Sequence, residues 1–329
     1  MPDAPPPGAG EVRIALRAAA LNHLDLFVVE GLPGLPPQFP HILGSDGAGV
    51  IAQVGSGVSS VQPGDRVLIN PGISDYTCEF CRAGEHSLCV RYGILGEHLP
   101  GTLAEFITVP VHNVQPLPAL EPPLTWSEAA AFSLVTLTAW RMVMTRAQVK
   151  AGEWVLVWGI GGGVSLTALR IAKLAGARVI ATSSSDAKLE RARALGADVV
   201  LNHVTQKITA EVRAVTGKRG VDVVVENVGE ATWGDSLRCL AKGGRIVTCG
   251  GTSGPTLVTD VRPLFWHQFT ILGSTMGNAA EYREIVRQLG EGQLRPIMDS
   301  TYPFARAREA FERLASGAQH GKIAVQIAD

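Results

Sequence analysis

Charge is scarce in this sequence and nearly cancels. Of 329 residues, 29 are lysine or arginine and 30 are aspartate or glutamate, leaving a net charge of −1 at pH 7 with histidine neutral. So neutral a chain lacks the basic face that nucleic acid or an anionic membrane needs, and neither is expected as a partner. Long apolar runs are missing as well: 46% of residues are hydrophobic, yet no stretch approaches the roughly 20 residues of a membrane span. The opening Met1-Pro2-Asp3-Ala4-Pro5-Pro6-Pro7-Gly8 has neither the basic nor the apolar region of a signal peptide. A soluble, cytoplasmic protein is the expectation. Cysteine is sparse: there are five, three of them bunched between Cys78 and Cys89, which is not a disulfide framework. Internal repeats and low-complexity blocks are absent.

What is present is organised around Trp154 to Ser165, where the apolar strand Trp154-Val155-Leu156-Val157 runs into Gly159, Gly161, Gly162 and Gly163 and then, after Val164, into an amphipathic helix reaching Ala175. Strand, glycine turn and helix in this order place backbone N–H groups and a positive helix end against a pyrophosphate. The glycines let the chain turn sharply and let the phosphates approach the backbone. A tight turn without a ligand is the alternative. About 20 residues on, the strand Ala177 to Thr182 ends in Ser183-Ser184-Ser185 with no acid to bind a ribose. Hydroxyls there, with Lys188 and Arg178 nearby, suit a ribose 2′-phosphate, so NADP(H) is expected over NAD(H). The other reading makes Ser183 to Ser185 a helix start with Lys188 solvated.

The first part of the chain reads as mostly β. A proline- and glycine-rich lead, residues 1–10, precedes strand-like alternation from Glu11 to Leu16 and a helical stretch from His23 to Glu30; a proline-rich loop, Gly31 to Pro40, follows. Glycines among β-branched residues from Gly44 to Gly55 suggest short, kinked strands. In a lobe spanning residues 72–92, Cys78, Cys81 and Cys89 have the spacing of ligands that converge on one tetrahedral ion. Asp75, three residues before Cys78, is the expected fourth ligand of a structural zinc, with His86 the other candidate. A metal-free loop and a redox Cys-x-x-Cys pair are the alternatives. A strand from Leu103 to Val109 closes this part.

Prolines 116, 118, 122 and 123 mark a boundary, and Ser127 to Ala147 is helical in pattern. Strands at Asp198–Leu201, Val221–Asn227, Gly244–Thr248 and Thr270–Gly273 join the first two in a six-stranded, doubly wound parallel sheet. The final strand, Ile323 to Ile327, is expected to return to the first domain. Length suits two domains: residues 1–125 with 274–329, and residues 126–273.

Taken together, Asn22-x-x-Asp25, Gly44-x-Asp46-Gly47-x-Gly49, Pro63-Gly64-Asp65-Arg66-Val67, the cysteine lobe, the glycine turn and Gly321-Lys322-Ile323-Ala324-Val325 resemble the medium-chain dehydrogenase/reductase superfamily, the zinc-type alcohol dehydrogenases and quinone oxidoreductases. The resemblance covers nearly the whole chain, short only at its N-terminus. It implies an α/β chain with a GroES-like mostly-β catalytic domain and a Rossmann domain, an active site in the cleft between them, and homodimers or homotetramers formed through the sheet edge near Ile271 to Met276. The places of the family's catalytic zinc ligands hold Asn22, Ser45 and Leu134, which make a poor zinc set. The resemblance then implies zinc-independent hydride transfer to a small-molecule quinone or activated alkene or carbonyl, with Asn22 donating to the substrate oxygen and Asp25 orienting it. Asn22 and Asp25 as helix caps are the alternative. His23, Thr138 and Trp140 fall where family members pass the cofactor, and Asn227, Gly229, Gly250 and Gly251 end strands facing it. Tyr92 and His98 are candidate proton donors. A zinc alcohol dehydrogenase, and an NADPH-binding sensor or structural protein without turnover, are the rival functions.

Overall fold

A computed structural model describes residues 4–31, 36 and 39–328. The first three residues of the lead and most of residues 32–38 of the proline-rich loop lie outside them. In chain order the first part comprises β1 (Glu11–Ala20), α1 (His23–Glu30), β2 (Asp46–Val54), β3 (Arg66–Ile69), β4 (Gly72–Ile73), α2 (Glu79–Arg82), β5 (Gly93–Ile94), β6 (Phe106–Pro110), β7 (Val114–Pro116), α3 (Trp126–Ala130) and α4 (Ser133–Trp140). A π-helical turn, Arg141–Arg146, then leads to β8 (Trp154–Val157), α5 (Gly163–Leu174), β9 (Arg178–Ser183), α6 (Asp186–Ala194), β10 (Val199–Asn202), α7 (Ile208–Val215), β11 (Val221–Glu226), α8 (Glu230–Cys239), β12 (Leu240–Thr248), α9 (Val261–Trp266) and β13 (Thr270–Gly273). The chain ends with α10 (Ala279–Gly290), β14 (Met298–Pro303), α11 (Ala307–Ala315) and β15 (Lys322–Gln326).

Two compact units result: residues 1–137 with 276–329, and residues 138–275. The division falls after residue 137, whereas the prolines suggest residue 125. The reason is tertiary: Asp46 Oδ1 accepts the Leu134 N–H at 2.7 Å, and the Ser133 and Tyr282 hydroxyls share a hydrogen bond of 2.8 Å, so the start of α4 is tied to the first unit.

In the first unit β1 is the central strand, antiparallel to β2, β6 and β15. The sheet runs β14-β15-β1-β2-β3-β7, with β6 also on β1. Val12, Ile14 and Leu16 alternate inward along β1, as a half-buried strand requires, and meet Ile51, Val67, Ile69, Ile107 and Val109 in one apolar core. The C-terminal strand pairs with β1 through Ala18–Gln326 to Ala20–Ala324, which carries the chain end back to its beginning. Glycine permits a close crossing here: a Cβ on Gly96, at φ +80°, would lie 2.5 Å from the Gly44 carbonyl oxygen.

The second unit is a six-stranded sheet ordered β10-β9-β8-β11-β12-β13, parallel throughout. Its central strands read Val-Leu-Val and Val-Val-Val because helices cover both faces, so both sets of side chains are buried. Strand order reverses between β8 and β9 on one side and β11 on the other, which opens a crevice at the carboxyl ends of these strands. No helix among the described residues is long and apolar enough to cross a membrane.

Candidate active site and metal-binding lobe

The glycine turn lies at that crevice. Gly161 has φ +143° and Gly159 φ +62°, backbone that L side chains rarely adopt. Gly162 is the N-cap of α5 and offers no side chain to its first-turn N–H groups, which leaves them for an anion. A Cβ on Gly161 would come within 2.9 Å of Lys188 Cδ and 3.3 Å of its Nζ, so the Lys188 side chain lies along the turn. Gly163 and Val164 open α5. Gly250 has open space where a Cβ would stand. Asn227, just past β11, donates to Ser165 Oγ at 3.1 Å; its Oδ1 is buried without a hydrogen-bond partner among the described residues. Thr138 is buried in α4.

At the end of β9, Ser183 Oγ accepts the Ser185 N–H and Ser185 Oγ accepts that of Lys188, so both hydroxyl hydrogens point elsewhere; Ser184 is exposed. The next acid, Asp186, is turned to β10, where its Oδ1 accepts from Asn202 Nδ2 at 2.7 Å. Arg178 is removed from this group: it begins β9, stacks on Trp154 at 4.4 Å and donates to the Gly152 carbonyl, about 16 Å along the strand from Ser183. These residues fit a phosphorylated dinucleotide: uncapped N–H groups at a glycine turn, a lysine laid along it and hydroxyls beside the second strand.

In the first unit Asn22, Asp46 and Lys322 form a buried polar network. Lys322 Nζ donates to Leu21 O at 2.8 Å, Asn22 Oδ1 at 2.5 Å and Asp46 Oδ2 at 2.9 Å. Asn22 Nδ2 donates to Asp46 Oδ2 at 3.0 Å and only distantly, at 3.5 Å, to Ala20 O. Asp46 is fully buried and Lys322 is 4% exposed. Asp25 accepts N–H groups from Asn22 and Gly44 at 2.7 and 2.8 Å. Burial raises its pKa to about 6 against the pull of those bonds. Asn22 and Asp25 stand in a capping-box relation at the start of α1, though the Asn22 side chain makes no cap bond of good geometry there; its bonds go to Lys322 and Asp46. Asp25 does satisfy the Asn22 N–H from the third position of the helix. His23, in the first turn of α1, has its pKa lowered by desolvation and then by the Lys322 charge.

Ser45 is fully buried and its hydroxyl has no hydrogen-bond partner among the described residues. The residues that the resemblance sets at the places of the catalytic zinc ligands are thus an amide bonded to a lysine ammonium, a hydroxyl and an alkyl chain, a set that does not fit zinc. In the sequence Lys322 belongs to the closing motif but has no assigned role at the site. The local signal for such a role is a lysine at the head of the apolar run Ile323-Ala324-Val325, and strand alternation does not fix whether a terminal charge turns inward. His98 Nδ1 accepts from Ile94 N at 3.3 Å, and the Tyr92 hydroxyl lies against Gly72.

In the lobe, ligand atoms of Asp75, Cys78, Cys81 and Cys89 all lie within 4.8 Å of one another. His86 is not brought into this group; its Nδ1 accepts the Ala279 N–H at 3.4 Å and its ring packs on Tyr76. Cys89 Sγ accepts N–H groups from Asp75 and Arg91 at 3.3 and 3.4 Å. Asp75 Oδ1 accepts from Cys78 and Thr77, which holds its carboxyl well below the usual carboxylate range and leaves Oδ2 for a metal. One carboxylate oxygen and three sulfurs brought this close together fit a tetrahedral metal site.

Comparison with known proteins agrees with this architecture. Residues 8–119 match the GroES-like domain of alcohol dehydrogenases and residues 163–291 the zinc-binding dehydrogenase domain. A zinc-type alcohol dehydrogenase-like protein of Schizosaccharomyces pombe is 35% identical over 97% of this chain and 91% of its own length. The crystal structure of an NAD-dependent alcohol dehydrogenase superposes with TM-score 0.94 at 44% identity, covering 100% of this chain and 95% of that one. A 2-octenoyl-CoA carboxylase reductase, solved with NADP and 2-octenoyl-CoA, gives TM-score 0.88 at 31% identity over 99% of this chain and 80% of that one. With a GroES-like β unit and a doubly wound parallel sheet in one chain, and relatives this similar over almost all of it, the protein belongs to the medium-chain dehydrogenase/reductase superfamily of oxidoreductases.

Proposed function

We propose that this oxidoreductase is NADP(H)-dependent and transfers hydride to a quinone or to an activated alkene or carbonyl, without a catalytic zinc. The observation that carries the reading is the closed Asn22–Asp46–Lys322 network where a zinc enzyme needs soft, ionisable ligands. Alcohol oxidation needs a Lewis acid to stabilise an alkoxide. An electrophilic conjugated acceptor needs only orientation and a hydrogen-bond donor at the oxygen where charge develops.

A bound dihydronicotinamide would supply the hydride. The α5 N-terminus, with Gly161, Gly162, Gly163 and Val164, would hold the pyrophosphate, and Ser183, Ser184 and Lys188 the 2′-phosphate. His23, Thr138, Asn227 and Gly250 would flank the dinucleotide. Asn22 has one N–H committed to Asp46 and one with only a distant acceptor; the second would donate to the substrate oxygen. Asp25 would fix the backbone at Asn22 and Gly44. Asp75, Cys78, Cys81 and Cys89 would hold a structural zinc that stabilises the lobe and takes no part in hydride transfer.

The test is consumption of NADPH and of NADH by chelator-treated protein, offered quinones, enals, enones, 2-enoyl thioesters and simple aldehydes. NADPH-linked turnover of any conjugated acceptor supports the reading. A preference for NADH removes the role given to Ser183 and Lys188. The 44% identity to an NAD-dependent alcohol dehydrogenase favours a second reading, NAD-linked alcohol oxidation. Zinc-restored activity with alcohols would establish it. Cofactor binding with no turnover under any of these conditions would leave a sensor or structural role.

A further inference from the structure

Lys322 is a charged residue at the head of an apolar strand, 4% exposed. Its three N–H donors meet three acceptors, Leu21 O, Asn22 Oδ1 and Asp46 Oδ2, so the ammonium is saturated inside the protein. Asp46 is closed in the same way, with Oδ1 taken by the Leu134 N–H and Oδ2 by Lys322 and Asn22. The consequence falls on Asn22. Turning its amide over would aim the NH2 group at the ammonium and the oxygen at the carboxylate, and both contacts would become repulsive in a dry environment. One orientation is therefore imposed, and in it one Nδ2–H keeps only the 3.5 Å approach to Ala20 O.

We propose that Lys322 is a positioning residue for hydride transfer: its ammonium holds the Asn22 amide with the spare N–H turned to the substrate oxygen, a task beyond neutralising Asp46. This rests on the function proposed above. A counter-ion to Asp46 could be dispensed with if Asp46 were neutral as well. A positioning cation could not, because with both charges removed the amide is free to turn. In a chain carrying both Lys322→Met and Asp46→Asn, the amide oxygen introduced at position 46 keeps the Leu134 N–H, and the new NH2 group then faces Asn22. Asn22 relieves that clash by rotating its oxygen toward it, and the catalytic N–H is lost from its direction.

Wild type, Lys322→Met and the double variant are compared, with turnover referred to cofactor-binding sites titrated in each so that unfolded protein does not count. Lys322→Met leaves Asp46 buried and unpaired, and is expected to lower both the thermal midpoint and kcat. The double variant is expected to regain most of the thermal midpoint and keep cofactor Kd and substrate KM within about threefold, while kcat stays down by about 10²-fold. Recovery of kcat along with stability would reduce Lys322 to a counter-ion and overturn the proposal, as would wild-type kcat in Lys322→Met. Wild type that turns over no conjugated acceptor would instead remove the hydride-transfer reading, and the positioning role with it.

Discussion

Removing the Asn22 amide should separate chemistry from binding. Asn22 is 7% exposed and linked to both charges of the network, whereas the expected cofactor-binding residues of the glycine turn belong to the other unit. Asn22→Ala is expected to lower kcat by about 10²-fold with NADPH affinity nearly unchanged; equal loss of both by fluorescence titration and steady-state kinetics would deny it a donor's role. Asp25 gives a pH signature. Burial raises its folded pKa to about 6, from 3.8 for a free side chain, so between these values the folded chain keeps a proton that the unfolded chain has lost. Its contribution is fully present below 3.8 and is lost as pH rises through 6, a swing on the order of 3 kcal/mol. Urea unfolding of wild type and Asp25→Asn should therefore show their stability difference shifting toward the asparagine variant from pH 4 to pH 7. A difference that does not move with pH would mean that Asp25 titrates normally. The poor zinc-ligand set was legible in the sequence, because it needed only the residue types at positions 22, 45 and 134. The lysine bonded to Asn22 was not, because Lys322 stands 300 residues away.

Among elements, α1, β8 to β13 and the glycine turn lie close to where periodicity and turn chemistry put them, since a helix face and an apolar parallel strand are local patterns. The stretch from Ser127 to Ala147 shows the opposite. It reads as one helix but forms α3, α4 and a π-helical turn, and α4 starts afresh because Asp46, 88 residues away, takes the Leu134 N–H in the role of a cap. β14 carried no clear alternation and exists because it pairs with β15. The lobe is the element whose chemistry can be tested alone. Protein purified without chelator is expected to hold about one zinc per chain, lost in Cys89→Ala with a lower thermal midpoint and little change in the activity of the folded fraction. Metal content near zero in wild type, with no thermal shift on adding zinc, would leave Asp75, Cys78, Cys81 and Cys89 as a metal-free loop.

At the scale of the whole molecule, β13 is the last strand of its sheet and carries Ile271 exposed at 39%, with Phe265 and Trp266 of the preceding helix more exposed still. An edge strand with large apolar groups is one that folded proteins cover, and a homodimer or homotetramer through Ile271 to Met276 would cover it. Light scattering should give a mass of two or four chains, reduced to one by Ile271→Lys; a monomeric wild type would end that expectation. Sequence alone determined the succession of a β unit and a parallel α/β unit and the glycine turn, because each is written in residues a few positions apart, and it narrowed the fourth partner of the three cysteines to Asp75 or His86. Tertiary structure alone decided which charges face Asn22 and where α4 begins. Those depend on contacts across 24 to 300 residues, and a buried charge shows its purpose only when the groups that complete its hydrogen bonds are in place.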